Sequence, residues 1–513
     1  MLRLPIVVLT AACIVSVLHA SAALAQKADP EATLRIAWPG PPASFDPHRS
    51  ASPGDQPYMF FFYDRLTRIA DDLSVHPMLA TAWRASADGR TLEMTLRKDV
   101  VFHDGTRFDA AAVKANLERA KTVGTEQIKN ALEGLSEVEA VNPTTVRLLL
   151  KRGGGAELPA VLGTLAGAMV SPKAISSGRD IALTPGDGGS GPFVIKDFRL
   201  KDKVVFERAK TYWDPAAAGR PKNVELGFVA STATRINGVK SGQLDVIFVS
   251  GPETAQAAKE SEQGIYKARV VATSVQHALK LHTSKAVWRD RRVRQAVASA
   301  INRESLSRDF LTGSCEAANQ PVAKRNPAFN PAAEGLIDYN PARARALLHQ
   351  AGVSNLSFDA TVAAGTAVGS IGPVLQAQLK EVGIDMKLSP RPGIEATGAF
   401  RSGQHDALIR PLVGGPDLSL YLAGEFFGGD KSVDPQDKEL KALADKALDP
   451  AIKPAQRNQI YQQVMLRITQ DSWAIPICNI RQYHVHTGKV LGVDKMGWTW
   501  AGTPDYSTLS KTR

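Results

Sequence analysis

Residues 63–120, YDRLTRIADDLSVHPMLATAWRASADGRTLEMTLRKDVVFHDGTRFDAAAVKANLERA, constrain the fold more than any other stretch of the chain. Leu92, Met94 and Leu96 alternate with Thr91, Glu93, Thr95 and Arg97, the period of a half-buried strand, and an Asp88-Gly89 turn precedes them. A second turn falls at Asp104-Gly105. Asp109 then stands where a helix N-cap is wanted, with Val113, Leu117 and Ala120 following at helical spacing. The block is therefore predicted as strand, turn and helix, and nothing in it is reactive.

Four further stretches extend this pattern. GSGPFVIKDFRLKDKVVFERAKTYWDP (189–215) reads as a Gly-rich turn followed by a hairpin, and TATRINGVKSGQLDVI (232–247) as a helix leading into a strand. In WRDRRVRQAVASAINRESL (288–306), Asp290 caps a helix whose Val293, Ala296, Val297, Ala300 and Ile301 form one apolar stripe. NPARARALLHQAGV (340–353) has Asn340 as cap, Pro341 at the first helical position and Gly352 at the stop. Five such blocks, in this order, resemble the peptide/nickel/opine branch (family 5) of the extracytoplasmic solute-binding proteins.

The resemblance implies an α/β fold of the periplasmic binding protein-like type II class. Two lobes would enclose a ligand cleft, with an extra domain inserted in the N-terminal lobe. It divides the chain into a signal peptide (1–25), domain I (26–65, 186–281 and 485–513), an inserted domain II (66–185) and domain III (282–484). LRIAW (34–38) would be the first strand, and the Pro-rich segment after it would line the cleft. Such proteins are monomers that close around a small-molecule or peptide ligand. They pass it to ABC permease subunits driven by cytoplasmic ATPases, and they carry no cofactor.

The N-terminus and the composition agree with export. Arg3, the apolar run Leu4–Val17 and Ala23-Leu24-Ala25 form a signal with an A-x-A cleavage site before Gln26, which places the mature chain in a Gram-negative periplasm. The chain is too long for one core. Its formal charge of +11 is spread without a Lys/Arg block, so a solvated surface is the reading and nucleic acid is not. Cys315 and Cys478 survive maturation. An oxidising compartment permits a bridge between them, while two separate buried thiols are the default.

No G-x-S-x-G, H-E-x-x-H, Walker A or dinucleotide fingerprint is present, and no catalytic or metal site is expected. His484 and His486 share one strand face, which is read as solvated in the absence of a third ligand at useful spacing. Dipeptide-binding members of the resembled family hold the ligand amine with an Asp after a Trp-Thr-Gly-like turn and the carboxylate with an upstream Arg. Here Leu412 replaces the Trp, and Val362 and Ala364 fall near the positions of that Arg and of a neighbouring Tyr, so the clamp is read as lost. A shift of two or three residues through this loop would bring Asp417 into reach.

The ligand-binding candidates are Phe45, Asp46, His48, Arg410, Asp417, Tyr421, Phe426, Arg481, Tyr483, Trp498 and Trp500. Arg410 is either the partner of a ligand carboxylate or one half of a salt bridge. The aromatics are either stacking surfaces or core. The expected solute is a peptide, an opine-like conjugate or another carboxylated compound. The alternatives are a metal-chelate or haem-type receptor of the same fold, and a periplasmic chaperone or sensory receptor.

Overall fold

The computed structural model describes residues 27–513 apart from 51–52, 71, 73, 152, 252, 365–366, 415–417, 428–436, 450–451 and 500–501. The signal segment 1–25, Asp417 and Trp500 lie outside the described residues. Locally coded elements form where their capping and periodicity place them. The strand Thr91–Leu96 buries Leu92, Met94 and Leu96, and the helix Ala110–Val123 is capped by Asp109 accepting from Ala112 N at 2.9 Å. Asp290 and Asn340 cap the helices Arg291–Ser299 and Pro341–Gln350 in the same way.

The first lobe is built on the strand Thr33–Trp38, which runs parallel to Asn223–Phe228 and Val246–Val249. The hairpin Phe193–Arg199/Lys203–Arg208 extends its edge. In the second lobe, Leu356–Ala363 runs parallel to Ile384–Arg391 and Ala407–Val413. A four-stranded antiparallel sheet (Ala80–Ala85, Thr91–Leu96, Thr145–Leu150, Leu135–Asn142) forms the inserted layer. One apolar cluster runs from Leu34 and Trp38 through Leu92 and Met94 to Leu148, so the inserted layer and the first lobe share a core. The second lobe has a core of its own around Trp288, Val297 and Ile371. The fold is the α/β, two-lobe type II architecture with an inserted domain.

The conspicuous sequence motifs turn out to be structural. Asp64, fully buried, accepts from the Tyr212 hydroxyl (2.8 Å), Trp213 Nε1 (2.9 Å) and Ser190 Oγ (3.2 Å), which accounts for both ends of the 189–215 block. The glycines there are a matter of space. A Cβ on Gly189 would lie 2.2 Å from Phe62 O, and one on Gly191 2.6 Å from Phe62 C. In the 288–306 block, Arg294 donates to the carbonyls of Asp471, Trp288 and Arg289, and Arg303 to those of Pro476, Ala298, Ile301 and Ile337. Both guanidiniums therefore satisfy chain and helix ends that would otherwise be buried without donors.

Two expectations are corrected. Cys315 and Cys478 are joined in a disulfide, their Cα atoms 5.6 Å apart, because the short strand Cys315–Ala317 pairs with Ala474–His486. The face carrying His484 and His486 is not solvated: the two are 0% and 7% exposed. The rings of Trp498, Tyr506 and Phe248 cover His484, and burial, followed by the charges of Arg269 and His486, pushes its imidazole down to about 3.

Candidate functional site: the cleft between the lobes

Among the described residues, only two strands, Lys267–Leu281 and Ala474–His486, continue from one lobe's sheet into the other's. Their antiparallel ladder is regular from Lys267/His486 to Ala272/Arg481 and resumes at Gln276/Asn479. Thr273, Ser274 and Val275 thus stand opposite Ile480 alone. Thr273 Oγ1 donates to Ile480 O (3.1 Å) and accepts from Val275 N (3.1 Å), which closes the bulge on itself. A break of this kind at the crossing is a place to bend.

The carboxyl ends of the parallel strands mark the cleft on either side of that crossing, at Trp38, Phe228 and Val249 in the first lobe and at Ala363, Arg391 and Val413 in the second. Ligands of open α/β sheets bind beyond such ends. Gly414, just past Val413, donates its N–H to Ser274 O in the bulge at 2.9 Å. Gly502 packs on Thr273 and Gln482 so closely that a Cβ there would meet Thr273 Cγ2 at 2.5 Å. Trp38 Nε1 and Gln482 Oε1 near these strand ends are two of the several buried side-chain atoms that lack a hydrogen-bond partner among the described residues. These are polar atoms of the kind a ligand satisfies.

The candidates from the sequence fall into four separate groups. Phe45 is core, edge-on to Phe62 and Phe198. Asp46 and His48 form a buried cluster with Arg119 of the inserted layer: Arg119 donates to Asp46 at 2.5 and 2.8 Å and to His48 Nδ1 at 3.0 Å, so His48 carries its proton on Nε2, which donates to Ala168 O. Burial, then the Arg119 charge, holds His48 down to about 4. Burial acts to raise Asp46, but its bonds to Arg119 and the adjacent charges bring it below the ordinary carboxylate value.

Arg410, Tyr421 and Phe426 come together in the second lobe. Arg410 pairs with Glu425 at 3.2 Å, and Glu425 also takes the fully buried Lys280 at 3.3 Å. The Tyr421 hydroxyl donates to Pro321 O at 2.5 Å, and its ring meets Phe426 edge-on. Leu412 is fully buried and packs in the same cluster as Tyr421. Arg481 pairs with Glu316 at 3.7 Å and lines a recess of about 630 Å3 that reaches Ala255 of the first lobe. Tyr483 and Trp498 are buried in the first lobe.

Sequence reasoning missed Trp38, Gln482, Lys280 and Glu425. Lys280 did leave a signal, a lone cation inside the apolar run HALKLH, whose burial demands a partner. No group of three or more His, Cys, Asp or Glu side chains among the described residues is arranged to hold a metal ion. No helix among them is long and apolar enough to cross a membrane.

The chain is similar to the glutathione-binding protein GsiB of Escherichia coli (strain K12), 26% identical over 478 residues that cover 88% of this chain and 89% of the relative. Among solved structures, NikA from Brucella suis in complex with Fe(III)-EDTA superposes with a TM-score of 0.79 at 23% identity, covering 94% of this chain and all of that one. HbpA2 from Haemophilus parasuis does so with 0.82 at 20%, over the same shares. Residues 74–433 match the model of the bacterial extracellular solute-binding proteins, family 5, and the chain therefore belongs to that family.

Proposed function

We propose that this chain is the periplasmic receptor of an ABC importer, and that it captures a short peptide-like or other carboxylate-bearing solute by closing its lobes. Members of the family bind small ligands or peptides and work with ABC transporter permeases, and the relatives matched are transport binding proteins and not enzymes. The observation that carries the reading is the two-strand crossing with its three-against-one break, which lets a ligand touching both lobes stabilise the closed form by its differential affinity. Support for a carboxylated peptide comes from the relatives named as glutathione-binding. In this reading the chain is an exported monomer, residues 66–185 are the inserted domain and 282–484 the second lobe. Arg410, with Tyr421 beside it, receives the ligand carboxylate.

Thermal-shift screening of refolded, ligand-stripped protein tests this, because a ligand bound only by the native state raises Tm. The panel is dipeptides, glutathione, opines, aromatic acids and nickel chelates. A shift with glutathione or another carboxylated compound that is lost in Arg410→Ala supports the proposal. A shift with nickel chelates alone replaces it with the chelate reading.

A further inference from the structure

We propose that Glu157 latches the inserted domain to the second lobe, so that the closed form has stability of its own before any solute arrives. Glu157 lies on the inserted domain, directly before the short helix Leu158–Val161. Its carboxylate does not cap that helix. It reaches across to the second lobe, where it accepts from the Tyr461 hydroxyl at 2.8 Å and from Ser419 Oγ at 3.3 Å, with Arg457 Nε at 4.0 Å. Its side chain is 12% exposed and that of Arg457 11%, so the pair is largely withdrawn from water, where charge-assisted bonds are strongest.

Two observations fit a contact that can be broken. Beside it the two faces leave a half-open recess of about 210 Å3, lined by Leu135, Leu158 and Val161 on one side and Leu422, Phe427 and Leu448 on the other, with Glu133 and Lys441 also on its wall. A permanent interface would fill such a space to interior density. Arg457 does not depend on Glu157 for its place, since it donates to the carbonyls of Ala447, Asp449 and Ile452.

The latch is also tied to the cleft. Ser419 sits on the helix Leu418–Leu422, which follows the strand end at Val413 and carries Tyr421 two residues on. A solute that shifts the helix Leu418–Leu422 therefore acts on the Glu157 contact directly. The inference rests on the receptor reading for its biological meaning, but not for its test.

Small-angle X-ray scattering of the ligand-stripped protein reads lobe closure with no ligand needed. The wild type should scatter as the closed form. Glu157→Gln, which keeps shape and removes charge, should lower the closed-to-open ratio about tenfold and enlarge the radius of gyration. Tyr461→Phe, which leaves the carboxylate in place, should produce a smaller change in the same direction and guards against a folding defect in the first variant. Scattering curves that superimpose for the wild type and both variants would overturn the latch, and would leave the outcome of the ligand screen untouched.

Discussion

Asp64 offers a test of the core in which proton linkage can be isolated. Burial drives its carboxyl up from 3.8 to about 6, against the opposing hydrogen bonds from Trp213, Tyr212 and Ser190 and the charge of Arg220. The folded state therefore binds the proton more tightly than the unfolded chain does. This group's contribution is fully present below pH 3.8 and is lost as the pH rises through about 6. At about 1.4 kcal/mol per unit of pKa, the difference is about 3 kcal/mol. Asp64→Asn removes the ionisation and keeps the shape. Its amide oxygen accepts from Trp213 and Ser190, and the Tyr212 hydroxyl turns to accept from the amide NH2. Urea unfolding of both proteins at pH 4 and pH 7.5 gives the stability difference between them. That difference should move by about 2.4 kcal/mol in favour of the wild type on going to pH 4, where the unfolded carboxyl is still partly ionised. A difference that stays constant across the window would refute a buried, protonatable Asp64.

The buried histidines act in the opposite direction. His48 and His277 are held at about 4 by burial, helped in His48 by Arg119, and His484 at about 3, so the stability they contribute is present above pH 6.5 and is lost as the pH falls through 4. Their imidazole NMR signals should keep the neutral position at pH 5.5, and a midpoint near 6.5 for any of them would contradict the burial. Replacing Cys315 and Cys478 by serine opens a link across 163 residues, for which the chain-entropy model gives about 5 kcal/mol and engineered bridges less, so a loss of about 2–5 kcal/mol should appear in urea denaturation. Gly191→Ala forces a Cβ against the Phe61 and Phe62 backbone and should cost about 1–3 kcal/mol by the same assay. An unchanged midpoint would mean that this turn yields freely.

What the sequence revealed was what short-range physics encodes. The caps at Asp109, Asp290 and Asn340 lie within three residues of the amides they satisfy, and the strand at Leu92–Leu96 announces its buried face by alternation alone. The partners of Asp64 are 148 and 149 residues away, and Tyr461 is 304 from Glu157, so neither bond leaves a local trace. Glu157 ahead of Leu158-Pro159 reads in sequence as an ordinary helix start. His484 and His486 misled for a related reason: alternation shows which residues share a face and not what lies over it, and the covering rings come from Trp498 and Tyr506, later in the chain. Asp46 was legible as a polar residue in an irregular segment, but its partner Arg119 belongs to a helix 73 residues on.

The unequal crossing strands have a mechanical consequence. With three residues facing one, the strand through Thr273–Val275 carries two residues more contour than its neighbour, about 7 Å, and one of the two is recovered at Ile477, which has no partner on that strand between His277/Cys478 and Ala278/Pro476, so about 3 Å of slack remains across the crossing. The shorter strand then serves as pivot and the longer as the arc around it, which gives the swing of the lobes a preferred sense. The disulfide at Cys478 braces the pivot strand two residues from Ile480, on the second-lobe side of the bend. The lobes can turn while the ladders on both sides of the bulge stay paired, and the work of opening is done against the contacts at Glu157.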